Sequence, residues 1–368
     1  MMPRRLILQG VLATALASVS RRVRARAGLL SFASPSNWWG DDGSASAGAG
    51  TPLYPTLLSS YAARPPWKVP GVDYPVGVPS NVTLKDPAAG GAPTGTTFST
   101  STHTVTFSAD NVTLDGWDFS LEGGWGVDCS GHTGIIIQNC KIKIGTNLKL
   151  PIHASSTTGD LTIRFSEIDG SATDDSSTFD CLISYPGTGT LTVEHCYLHD
   201  AWQHTIDFST PTSGIVPVIR WNVLKNNGVG TSGVHPDPWY NNGSKISGGQ
   251  FNFNLIYDVG TSFSAGNWGM VLSTDNSLSG GYCKNNTMSY NTLVASPGSS
   301  SGVPVSYALG FAAGIDPVTG CTVNYNYCDP STQAFGFWDS PSDPGAGCGT
   351  LGNVNMVTGV VVKSSWSN

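Results

Sequence analysis

Charge is what this sequence has least of. Asp, Glu, Lys and Arg make up only 12% of its 368 residues, and they sum to a net charge of −7. The shortage of Lys and Glu removes two strong helix formers and argues against a helical protein. Cations are scarcer still. The chain has 18 Lys and Arg in all, and Arg4, Arg5, Arg21, Arg22, Arg24 and Arg26 are crowded into its start. With no basic cluster elsewhere, nucleic acid is not expected as a partner. No apolar run reaches the roughly 18 residues of a membrane span. Phosphate loops, G-x-S-x-G elbows and dinucleotide fingerprints are all missing. The eight cysteines do not have zinc-site spacing, although Cys283, Cys321, Cys328 and Cys348 lie close enough in sequence to pair.

What is abundant is glycine, with 45 residues, together with Ser, Thr and Asn. That composition suits many short strands joined by turns. A six-residue unit makes this concrete: Val193-x-x-Cys196-x-Leu198 matches Ile219-x-x-Asn222-x-Leu224. It recurs from Leu114, Ile137, Ile163, Val193, Ile219, Phe251, Met288 and Val323, so the chain is read as a repeat protein before any strand is assigned. The fourth position of the unit runs Trp117, Cys140, Ser166, Cys196, Asn222, Asn254, Asn291, Asn326. Successive asparagines predict an amide ladder at a corner. The third position runs Gly116, Asn139, Phe165, His195, Trp221, Phe253, Tyr290, Tyr325. Strict alternation along a strand predicts that these rings face inward, with His195 as a core histidine. The second position is polar and predicted to face out, with Arg164, Glu194 and Arg220 as neighbours.

In this register residues 80–362 resemble the right-handed parallel β-helix superfamily, the pectate-lyase-like fold. The resemblance implies an all-β, single-stranded solenoid of eight to ten coils. Members include polysaccharide lyases and hydrolases, phage tailspikes, adhesins and binding proteins, so the fold alone does not choose a function. A sandwich or propeller would show regular hairpin signals, and none are seen.

Residues 1–27 read as an export signal of twin-arginine type, with Arg4-Arg5 ahead of an apolar stretch and Ala25-Arg26-Ala27 as a cleavage site. A secreted or periplasmic location follows from that reading. Residues 28–66 read as a linker and an N-terminal cap, with helical turns between Tyr54 and Trp67 covering the end of the solenoid. Residues 67–368 are the β-helix domain, with first strands at 82–87 and 103–107.

The third strand of each coil carries the candidate chemistry. Asp128, Asp180, Asp207 and Asp237 align there, with His153 in the remaining coil. Neighbouring strands lie about 4.8 Å apart, a spacing that suits paired glycosidase carboxylates. Asp207 and Asp237 are the predicted acid and base, supported by His204 and His235. Asp180 is a third carboxylate or a cation ligand, with Ca²⁺ the one cofactor foreseen. Trp202, Trp239, Tyr240 and Lys225 are predicted to contact sugar. His199 and Asp200 read as a solvated turn. The function expected is polysaccharide hydrolysis or elimination by a monomer. The alternative is a non-catalytic fibre or adhesin, expected as a trimer, whose aspartates only hold turns.

Overall fold

The computed structural model describes residues 50–145, 150–171, 181–209, 214–227, 229, 238–258, 270–275, 281–295, 309–312, 318–329 and 348–362. Among them there is no α-helix, only two single 3₁₀ turns at Pro87–Ala89 and Leu121–Gly123. The strands fall into three sheets of nine, twelve and ten strands. The chain visits the sheets in rotation, so each new strand lies beside the strand of the preceding pass. One full pass runs through Cys181–Ser184, Gly189–Glu194 and Tyr197–Ala201, and the next begins at His204–Asp207. Pairing is parallel except at the two ends, Thr96–Ser99 with Thr104–Phe107 and Val354–Asn355 with Val360–Val361. The protein is therefore an all-β stack of parallel sheets, compatible with a solenoid.

The repeat register is the one read from the sequence. Leu114, Ile137, Ile163, Val193, Ile219, Phe251, Met288 and Val323 are successive Cα partners in the twelve-stranded sheet. A ninth unit follows, because Val323 pairs with Thr350. The apolar position of each unit is buried in a continuous core. The polar second position lies outside, where Arg220 pairs with Glu194 at 3.0 Å and Arg164 donates to Gln138 at 2.7 and 2.9 Å.

The corner differs from expectation in one respect. The third-position residues all take left-handed backbone, with φ from 49° at Phe165 to 73° at Gly116. This bend interrupts the alternation and turns the side chains outward, so the rings stack along the outside of the corner. Phe165 lies 5.0 Å from His195, His195 5.0 Å from Trp221, and Phe253 4.9 Å from Tyr290, all near-parallel. His195 is thus half-buried in an external stack. Left-handed backbone costs roughly 1–2 kcal/mol per residue, and each stacked pair returns about 0.5–1.5 kcal/mol. The two terms nearly offset.

The next residue points inward, and the amide ladder forms there. Asn222, Asn254, Asn291, Asn326 and Asn353 are buried, each amide donating to the next Oδ1 at 2.9–3.0 Å. Each Oδ1 also accepts the corner N–H of the preceding pass, as Asn254 Oδ1 does from Asn222 N at 3.1 Å. The inward position on this corner is a polar stripe beside an apolar core, and it satisfies corner groups that no ladder bond reaches.

The segment expected to cap the end lies instead along the flank. Leu58, Trp67, Val69 and Val72 pack on Val223, Leu255, Val294 and Met356 of the ten-stranded sheet and its last turn. Trp67 stands edge-on to Phe253, Tyr290 and Tyr327 at 6.3, 5.5 and 5.1 Å. Tyr54 bonds Tyr197 hydroxyl to hydroxyl at 2.9 Å, and Tyr61 donates to Asp329 at 2.7 Å. Residues 54–67 form turns, with no helix. Neither is there a strand at 82–87, where Lys85 makes an isolated bridge to Trp117. At the N-terminal end the Thr96–Phe107 hairpin lays Phe98 against Trp117, Phe119 and Trp125. Trp67→Ala should cost about 3–5 kcal/mol and raise hydrogen exchange across residues 54–72 first. Uniform exchange in that segment would show that the flank contact contributes little.

Candidate active site

The outer column on the nine-stranded sheet is defined by register. Asp128 pairs with His153, His153 with Ser184, Ser184 with Asp207, and Asp207 with Tyr240. Every member is half-buried, with one face toward solvent. Asp128 and Asp207 stand in the column as expected, and His153 fills the pass between Asp128 and Ser184. Ser184 and Tyr240 hold the two remaining places. Asp180, His235 and Asp237 themselves lie outside the described residues.

Asp128 and His153 form a pair, with Oδ1 3.2 Å from Nδ1. Ser130 Oγ lies 3.3 Å from the same nitrogen. The hydrogen bond from His153 is the main reason the Asp128 carboxyl is held down at about 2. An ionised Asp128 fixes the Nδ1–H tautomer and leaves Nε2 as the basic nitrogen. Asp207 accepts the backbone N–H of Ser209 at 2.7 Å. The same Asp-x-Ser turn recurs at Asp118, Asp128 and Asp169, with bonds of 3.1, 3.0 and 2.8 Å.

The other predicted residues separate. His204 is buried at 1% exposure and stacks on Tyr240 at 4.1 Å with the rings 3° apart. It supports Tyr240 from below and presents no face to a polymer. Trp239 is also interior, fully buried and packed on Phe251 at 4.7 Å, so it fills the core where sugar stacking was expected. Trp202 is half-buried in the short connection before His204. Lys225 belongs to the ten-stranded sheet, where its Nζ lies 5.9 Å from the Tyr54 ring, away from the column. Of the predicted sugar contacts, Tyr240 alone stands in the column.

A second charged group was misread in the sequence as a solvated turn. His199 continues the strand Tyr197–Ala201 in the ten-stranded sheet and is 9% exposed. Its register neighbours are Asp169 on one side, itself paired with Lys143, and Lys225 on the other. Nδ1 lies 2.7 Å from Asp200 Oδ2 and 3.7 Å from Asp169 Oδ1, and Nε2 lies 3.5 Å from Glu167 Oε1. Burial pulls the imidazolium down, but Asp200, Glu167 and Asp169 outweigh it and raise the group to about 9. The signal was present in the repeat: the position after Leu198 reads Lys143, Asp169, His199, Lys225 over four successive units, an acid and a histidine side by side between two lysines. The thiols of Cys283 and Cys321 are buried 3.9 Å apart, and none of the eight cysteines is in a disulfide.

No known protein family, curated protein or solved structure matches this chain. Its function therefore has to be argued from these two groups of side chains.

Proposed function

We propose that the chain is an exported right-handed parallel β-helix that hydrolyses a polysaccharide lying along its nine-stranded sheet. The observation that carries this reading is the column Asp128, His153, Ser184, Asp207, Tyr240, with one half-exposed polar side chain per strand. His153 and Asp207 are separated by one intervening strand, about 9.6 Å along the sheet. That is at the upper edge of the separation that leaves room for a water beside a sugar in an inverting glycosidase. Asp207 would protonate the glycosidic oxygen as the bond breaks. His153, oriented by Asp128, would take a proton from the water that attacks the anomeric carbon. Tyr240 offers a ring for sugar stacking, held flat by His204. Elimination is the weaker chemistry here, because Lys225 and Lys245 belong to strands outside this sheet.

A polysaccharide panel, read for new reducing ends and for the ultraviolet absorbance of an unsaturated uronate, tests the reading. Reducing ends without absorbance are expected, and Asp207→Asn and His153→Gln should each lower turnover by about 10²–10⁴. Absorbance would instead mean elimination. A non-catalytic rod is favoured by the four Asp-x-Ser turns, which give Asp128 and Asp207 a structural task they share with Asp118 and Asp169. Folded protein inert on every polymer would support the rod.

A further inference from the structure

We propose that Asp169, His199 and Asp200 form a binding site for a divalent transition-metal ion of the zinc class, on the ten-stranded sheet and independent of the polysaccharide reading. One ligand atom from each residue lies within 4.8 Å of the other two. Ligands at about 2.1 Å in a tetrahedral shell stand roughly 3.4 Å from one another. The separations from His199 Nδ1, 2.7 Å to Asp200 and 3.7 Å to Asp169, bracket that value. Side-chain rotations that open the first separation by about 0.7 Å and close the second by about 0.3 Å would bring these donors to tetrahedral spacing.

The surroundings match what a ligating histidine needs. When Nδ1 binds a metal, Nε2 carries the hydrogen and wants a carboxylate behind it. Nε2 of His199 is buried and makes no hydrogen bond, and Glu167 Oε1 waits 3.5 Å away. The outer oxygens of the other two ligands are also held. Asn226 Nδ2 donates to Asp200 Oδ1 at 2.7 Å, and Lys143 Nζ bonds Asp169 Oδ2 at 2.7 Å. The ring is clamped flat by Tyr197 at 4.2 Å. One nitrogen and two carboxylate oxygens select zinc, manganese or iron over calcium, which takes six to eight oxygens. Three protein ligands leave a coordination position open.

The competing account is an ion-pair network of these carboxylates with Lys143 and a protonated His199. Chelator-treated full-length protein titrated with Co²⁺ separates the two, because ligand-field absorption in the visible reports inner-sphere nitrogen and oxygen ligands without any enzymatic assay. The site predicts saturable bands at one ion per chain, competed by Zn²⁺ and not by Ca²⁺. His199→Gln should abolish them, Asp200→Asn should weaken binding at least tenfold, and His132→Gln, in the separate surface pair with Asp110, should change nothing. Asp200→Asn keeps the size and the Asn226 contact, so it reports even where His199→Gln fails to fold. No bands with folded wild-type protein, bands unaltered in His199→Gln or Asp200→Asn, or competition by Ca²⁺ as strong as by Zn²⁺ would each overturn the site and leave an ion-pair network only.

Discussion

Asn254→Ala should lower the stability of the protein by about 5 kcal/mol, the largest loss expected from any single side chain here. Its amide donates to Ile219 O at 2.9 Å and to Asn291 Oδ1 at 3.0 Å. Its Oδ1 accepts from both the backbone and the amide of Asn222. Alanine would leave the Ile219 carbonyl and the Asn222 N–H buried without partners, and each such orphan costs about 1–3 kcal/mol. The rest of the loss is the cavity and the broken chain of amides. Asn254→Ser should recover about half. Ser166 shows why: in the same column its hydroxyl accepts Cys140 N at 3.1 Å and donates to Arg164 O at 2.9 Å, replacing the local bonds but not the reach to the next amide. Denaturant titration of the three proteins gives the order. A loss below 1 kcal/mol in Asn254→Ala would mean that the corner is held by its ring stack and not by the ladder.

The second large effect is on pH. In chelator-treated protein, His199 titrates near 9 when folded against 6.5 in its ordinary state. A raised folded value stabilises fully below pH 6.5, and the stabilisation disappears as pH rises through 9. The difference corresponds to about 3 kcal/mol at 1.36 kcal/mol per unit. The His199 contacts also hold the Glu167 and Asp200 carboxyls below their ordinary values, and Lys143 and Ser171 do the same for Asp169. Their contribution is present above the ordinary carboxylate range and is lost in acid. Stability should therefore form a plateau from mildly acidic to neutral pH and fall on both sides. His199→Gln should flatten the alkaline limb, and an unchanged alkaline limb would place the titration elsewhere.

The repeat was legible because it is written in identity at fixed offsets. The buried aliphatic and the inward asparagine each tolerate few substitutes, so eight register positions could be read without knowing the loops. The ninth was missed because Thr350 stands at the aliphatic position and Gly352 at the ring position, and only Asn353 remains as a marker. The outward turn of Phe165, His195 and Trp221 was missed for a different reason. Alternation is a rule for strands, and a single left-handed residue reverses it. The third-strand column was half-legible: Asp128, His153 and Asp207 were placed by pattern, but Ser184 and Tyr240 hold the two positions where aspartates were expected. Short strands between loops of unequal length leave that register to pairing partners far along the chain. His199 was hidden by the assumption that a strand ends where the charges begin.

The flank segment has a consequence for the order of events during synthesis. Residues 54–72 leave the ribosome early, yet their partners extend to Asp329 and Met356, with Tyr61 bonded across 268 positions and Ala63 N–H on the Met356 carbonyl. Each pass of the stack can dock on the one before it as it emerges, since its partners are its immediate predecessors. The flank must wait until almost the whole chain is made. Such distant closure is slow relative to local pairing. Among the described residues, the first apolar segment to appear is then the last to be covered, and for most of translation Trp67 and the sheet face it protects are both available to other chains.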